Sequence, residues 1–223
     1  MNKASESALL RPEVQRVLER LHTLSDSNDD AIIQQVRNGP LWKSASSEQR
    51  AVMFRDALLP ISRDTGRFLY GVARSIAAKR IVEFGSSFGV STIYLAAALC
   101  DSGGGLVVGS ELESGKVARA YEHLAEAGLA KYAEIRAGDA LHTLRDPGGA
   151  IDLLFLDGWK ELTLDVLLLV LPSIRPGAVV MADDLDLFPD LLAPYLNFVR
   201  NTANGFISAP ISIGDGIEFS VRL

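Results

Sequence analysis

Asp157 closes the apolar run Ile151–Leu156, and Lys160 follows three positions later. Asp183 and Asp184 close a second apolar run, Ala178–Ala182. If the two runs are neighbouring strands of a parallel sheet, three carboxylates finish at one place. Two like charges 4 Å apart repel by roughly 4 kcal/mol at an effective dielectric of about 20, so the group is unfavourable without a partner. A hard divalent cation would remove the conflict, and an oxygen-only ligand set suits Mg²⁺ or Ca²⁺. The plainer alternative is that the aspartates cap loops and face water separately. Lys160 likewise has two readings, a positioned base or a surface lysine paired with Glu161 or an aspartate.

Three further strand ends carry polar residues. The run ending at Phe84 opens into Gly85-Ser86-Ser87-Phe88-Gly89 and then a helical stretch. Glycines let backbone approach a ligand, and the helix start offers free N–H groups. The dinucleotide pattern G-x-G-x-x-G is absent, because Ser87 stands at its second glycine. Glu83 lies inside the strand, where a carboxylate needs donors that a ligand ammonium could supply. Glu111 ends the next apolar run, 22 residues after Gly89. It could accept from both hydroxyls of a ribose, or, like Glu113, charge the first turn of the following helix. Gly138-Asp139-Ala140 ends the third run; Asp139 could accept from an adenine amine or cap a helix.

These ends imply the elements that hold them. Residues 1 to about 78 read as helical: Pro12–Leu24, Asp30–Val36, Ser47–Leu59 and Thr65–Ala77. From Arg80 onward short apolar runs alternate with helical ones, which predicts a mainly parallel sheet covered on both faces. The last two runs, joined by Gly214-Asp215-Gly216, predict an antiparallel hairpin. Ligands of such a sheet bind outside the carboxyl ends of its strands.

The chain has 223 residues, 48% hydrophobic, and a net charge of −6, so nucleic acid and anionic membranes are poor partners. A local basic patch of Arg63, Arg67, Arg74, Lys79 and Arg80 is the one feature that favours RNA. Cys100 stands alone at the end of an apolar run and reads as a core thiol, and the three histidines make no zinc pattern. With no signal-peptide pattern and no membrane-length apolar run, a cytoplasmic protein is expected.

The segment "FLDGWKELTLDVLLLVLPSIRPGAVVMADD" resembles the cation-dependent, S-adenosylmethionine-dependent O-methyltransferases, which include the catechol and caffeoyl-CoA enzymes. The resemblance runs from about Ile61 to the C-terminus. It implies a Rossmann-like, doubly wound, seven-stranded sheet: a single class I methyltransferase domain over 1–223, with 1–60 a helical cap and 61–223 the cofactor-binding core. It implies Mg²⁺ or another divalent cation on Asp157, Asp183 and Asp184, and Lys160 as general base. It implies S-adenosylmethionine contacts at Glu83, Gly85, Ser86 and Ser91, with backbone near Ser62. The ribose would fall on Glu111 and the adenine on Asp139 and Ala140, with Trp159 either a cofactor wall or a core anchor. A small hydroxylated acceptor, aromatic and catechol-like, and a homodimer are the expected partners. A tRNA hydroxyl-base methyltransferase of the same family and an NAD-dependent oxidoreductase are the alternatives. Gly158 stands where the catechol enzyme has a histidine, and no counterpart of that enzyme's substrate-side glutamate lies near Ala209.

Overall fold

The apolar runs after Arg80 form strands; the central ones, Arg80–Phe84, Leu106–Glu111 and Ile151–Leu156, are buried on both faces, while Ala133–Ala137 and Phe206–Ile211 are partly exposed. The computed structural model describes residues 7–223. The strands are β1 (Arg80–Phe84), β2 (Leu106–Glu111), β3 (Ala133–Ala137), β4 (Ile151–Leu156), β5 (Ile174–Ala182), β6 (Phe206–Ile211) and β7 (Ile217–Arg222). They make one sheet in the order β3-β2-β1-β4-β5-β7-β6, parallel from β3 to β5, with β7 antiparallel to both β5 and β6. This is the Rossmann-like arrangement with a C-terminal hairpin that the sequence predicts. The order reverses between β1 and β4, and a crevice opens at such a switch point.

Alternation along each strand sorts the core. Ile81, Val107, Leu153, Phe155 and Met181 face one side, and Val82, Phe84, Leu154, Leu156 and Val180 face the other. The first side is covered by α1 (Pro12–Arg37), α3 (Arg63–Ser75), α4 (Val90–Asp101) and α5 (Ser114–Glu126). The second is covered by α6 (Ala140–Thr143), α7 (Thr163–Val170) and α8 (Pro189–Arg200). Residues Val90–Leu99 of α4 are buried all round, since the helix lies between the sheet and α1 and α3. Gly66 of α3 makes that crossing close, for a Cβ there would enter the Tyr94 ring.

The N-terminal region departs from its expected boundaries. The two stretches Pro12–Leu24 and Asp30–Val36 are one helix, α1, with the polar run between them still helical. Asp29 from that run is buried and accepts the backbone N–H groups of Leu58 and Leu59 at 2.9 and 2.7 Å. Those bonds draw the chain out of helix, so α2 (Ser47–Met53) ends six residues before the expected Leu59. A capping box of Ser46 and Gln49 sets its start. The residues proposed as a basic patch are separately engaged: Arg63 pairs with Glu19, Arg67 with Asp64, and Lys79 with backbone carbonyls. Among the described residues no helix is long and apolar enough to cross a membrane.

Candidate active site

Strand register brings the candidate residues together. Phe84 of β1 lies opposite Leu156 of β4, which lies opposite Ala182 of β5. Gly85, Asp157 and Asp183 therefore leave three adjacent strands at one level. On the other side Phe84 is level with Ser110, and Glu111 with Ala137, so Glu111 and Gly138-Asp139 continue the same rim.

A cavity of about 500 Å³ opens along this rim. Its wall includes Gly85, Ser86, Ser91, Glu111, Asp139, Ala140, Asp157, Trp159, Lys160, Asp183 and Asp184. Glu83 lies beneath the wall, fully buried. Ser62 is off the wall: its side chain caps α3 by accepting from the Thr65 N–H, and its neighbour Ile61 lines the cavity instead.

At one end, oxygens of Asp157, Asp183 and Asp184 lie within 4.8 Å of one another. The Lys160 Nζ sits 2.8 Å from Asp157 Oδ1 and 2.8 Å from Asp184 Oδ2. Lys160 thus pairs with the aspartates, while Glu161, the other partner the sequence offered, pairs with Arg50. Burial works to lower the lysine's pKa, but the two carboxylates outweigh it and hold the ammonium above its usual range. One ammonium faces three carboxylates, and the excess shows. Burial, then the charge of Asp184, pushes the Asp183 carboxyl up to about 7. Burial also raises Asp157, with Asp183 and Asp184 adding to it, against the pull of Lys160. Among the described residues Asp183 Oδ1 is buried without a hydrogen-bond partner. An all-oxygen cluster with an orphaned oxygen and surplus negative charge fits a hard divalent cation. The loop after β5 is fixed by Leu185 and Asp186, whose N–H groups donate to the carbonyls of Gly216 and Asp215 in the β6–β7 turn. Asp184 itself is in the left-handed region at φ 68°.

At the β1 end, Glu83 Oε2 accepts from Ser86 Oγ at 2.6 Å and Thr92 Oγ1 at 2.5 Å, while Oε1 is buried and has no partner among the described residues. Burial raises the Glu83 pKa, and hydrogen bonds from Ser86, Thr92 and Ser91 oppose the rise. Such a carboxylate fits a cationic ligand group. Gly85, at φ 93°, packs against the next strand end, where a Cβ would lie 2.6 Å from the Gly158 nitrogen. Gly158 is bare for a related reason, since the Phe84 ring occupies the place of a side chain.

Glu111 accepts from the Ser87 N–H at 2.8 Å and the Glu113 N–H at 2.9 Å, one on each oxygen, which fixes its carboxylate on the rim. Glu113 caps α5 through the Lys116 N–H, so the helix-start role falls to Glu113. Asp139 caps α6 through the Leu141 N–H while remaining on the cavity wall.

Several residues of this site were not singled out in the sequence. Lys116 lines the cavity, buried, with its Nζ 3.2 Å from Ser87 Oγ and near the Phe88 ring. Its signal was a charge on the apolar face of α5, in line with Ala120 and Leu124. Gly109 of β2 leaves room for Ser86 beside Glu83. Trp42, Arg50 and Phe54 of the cap close the cavity over Trp159; nothing in their local pattern marks them.

Known proteins resemble this chain in sequence and in fold. A family described as a methyltransferase domain matches residues 82–185. A catechol O-methyltransferase of Mycobacterium tuberculosis (strain ATCC 25618 / H37Rv) is 34% identical over 128 residues, 57% of each chain. The match thus spans little over half of that relative's length. Caffeoyl-CoA O-methyltransferase 2 of Zea mays is 25% identical over 189 residues, 74% of this chain and 71% of that one. The crystal structure of the O-methyltransferase TomG from Streptomyces achromogenes, in complex with S-adenosylmethionine, superposes with a TM-score of 0.66 at 27% identity, covering 89% of this chain and 98% of that one.

Proposed function

We propose that the chain is an S-adenosylmethionine-dependent O-methyltransferase related to the catechol and caffeoyl-CoA enzymes it resembles, and that it transfers a methyl group from S-adenosylmethionine to a hydroxyl of a small aromatic acceptor with adjacent hydroxyls, with a divalent cation at Asp157, Asp183 and Asp184. The observation that carries this reading is the carboxylate cluster with Lys160 on the wall of the cavity that Glu111 also lines.

When bound, the cofactor supplies an electrophilic methyl group, and the cation acidifies and orients an acceptor hydroxyl. The chain's residues do the rest. Glu83 offers its free Oε1 to the ammonium of the methionine end, with Gly85, Ser86 and Ser91 against that end. Glu111 uses its remaining lone pairs for the ribose hydroxyls, and Asp139 and Ala140 border the base. Trp159 walls the cavity beside Lys160. Lys160 is an ammonium in its present ion pairs; with Asp157 and Asp184 turned to another cation, burial is left to lower its pKa, and it can take the hydroxyl proton. Leu187, Phe188 and Leu191 give the acceptor side an apolar surface suited to a flat ring.

The test is transfer of a labelled methyl group to a panel of aromatic vicinal diols, single phenols, aliphatic diols and tRNA, each with Mg²⁺. Label on the vicinal diols above the other classes is the expected result. Label on tRNA alone would replace the small acceptor with a nucleic acid.

A further inference from the structure

Arg50, on α2 in the cap, reaches both neighbours of Lys160. Its guanidinium lies 4.7 Å from the centre of the Trp159 ring and pairs through Nη2 with the Glu161 carboxylate. The same guanidinium is 5.8 Å from the Trp42 ring, so it sits between the cap's indole and that of the catalytic turn. Phe54 completes the contact, edge-on to Trp42 at 5.6 Å and tilted against Trp159 at 6.3 Å. The Arg50 side chain is 19% exposed and that of Glu161 31%, which removes the pair from the fully solvated surface where ion pairs contribute little. Among the described residues Arg50 Nε is buried with no hydrogen-bond partner, so on that side stacking holds the group.

Lys160 has no anchor of this kind through its own chain. Among the described residues its ammonium is held only by the aspartates, and those are the groups a cation would claim. Its backbone sits in a short 3₁₀ turn, Lys160–Leu162, and Leu162 N–H donating to the Trp159 carbonyl closes that turn. The residues on either side of Lys160, Trp159 and Glu161, are those Arg50 grips.

We propose that Arg50 is a positioning residue: it fastens the N-terminal cap to the Trp159–Glu161 turn, and by holding both neighbours of Lys160 it fixes that lysine over the cavity and closes the cavity's acceptor side. The positioning role rests on Lys160 being the base. Lysine cannot replace Arg50 fully, since an ammonium lacks the flat face for stacking and the fork for a carboxylate.

The chain's only two tryptophans, Trp42 and Trp159, are both in this contact, so intrinsic emission reports on it directly. In Arg50→Met the emission should move to the red and acrylamide quenching should rise, while S-adenosylmethionine affinity by calorimetry stays as in the parent. The catalytic rate should fall by about 10–10²-fold, the scale expected of a misplaced catalytic group. Arg50→Lys should recover part of both signals. Added to Lys160→Met, the Arg50→Met loss should shrink, because both act through one group. Glu161→Gln opens the same contact from the other side and serves if Arg50→Met does not fold. Parent-like emission in the variants, a parent-like rate despite altered emission, or losses that multiply in full with Lys160→Met would each overturn the proposal. If Lys160→Met alone keeps the parent rate, the base assignment fails and the positioning role with it, while the emission arm separately decides whether Arg50 joins cap to turn.

Discussion

Glu83 works against the stability of the protein that carries it. It is a fully buried carboxylate with one oxygen unpartnered, and its raised pKa records the cost. The folded form favours the protonated acid, so below the ordinary glutamate value of about 4.3 there is no penalty. As pH rises above that value the unfolded chain ionises first and stability falls, until the pH passes the raised folded value. Glu83→Gln removes the charge. Its melting temperature, measured without ligand, should therefore exceed the parent's at pH 7 and 8, and the gain should vanish near pH 4. Its affinity for S-adenosylmethionine should drop about tenfold or more, the loss of a hydrogen bond to a charged group. A substitution that lowers both, or neither, would remove the ammonium assignment. At the other end of the cavity, Lys160→Met should leave cofactor binding intact and slow a single turnover by about 10²–10⁴. A rate within a factor of about three of the parent, well below that range, would leave Lys160 as a structural counter-ion.

Among the elements, what the sequence made legible follows from how local each signal is. Strands β1, β2, β4 and β5 could be read because each holds a short apolar run bounded by turns, and β3 because Ala133 and Ile135 alternate with Glu134 and Arg136; the polar residues that end the runs stand out against them. The cap could not be bounded the same way. Asp29 holds Leu58 and Leu59 across some 30 residues of chain, and no local pattern announces that α2 stops at Met53 for this reason. Ser87 is a similar case. It stands where a dinucleotide motif would have glycine, yet it adopts φ 44°, gives its N–H to Glu111 and its hydroxyl to the Leu58 carbonyl. The serine thereby ties the glycine turn to the cap, and reading it as a missing glycine overlooks that. The α3–α4 crossing gives the test at this scale. Gly66→Ala puts a methyl group into the Tyr94 ring, and overpacking of this kind costs roughly 1–3 kcal/mol. Denaturant unfolding should show that loss, and Gly71→Ala, on the same helix with open space around it, should show none of it. Equal midpoints for Gly66→Ala and the parent would mean that α3 sits farther from α4.

Across the whole molecule, the sheet order turns separate strand ends into one site. Asp157 and Asp183 are 26 positions apart, and the parallel pairing of β4 with β5 makes them neighbours. The sequence could place the carboxylates at strand ends and could infer that they converge; it could not show Lys160 between Asp157 and Asp184, or Glu83 with a free oxygen. The closing hairpin adds a constraint that no run of residues announced, since its turn fixes the loop that carries Asp184. Surplus negative charge at one end of a cavity, next to a lysine held protonated by that charge, is the feature a cation would resolve. The most direct measurement is single-turnover methyl transfer to the best vicinal diol of the panel, with saturating Mg²⁺ and then with excess EDTA. A rate in EDTA lower by about 10² or more is expected, since a metal ion supplies several kcal/mol to such a step and each 1.36 kcal/mol is tenfold. Equal rates in the two conditions would contradict the account at its centre.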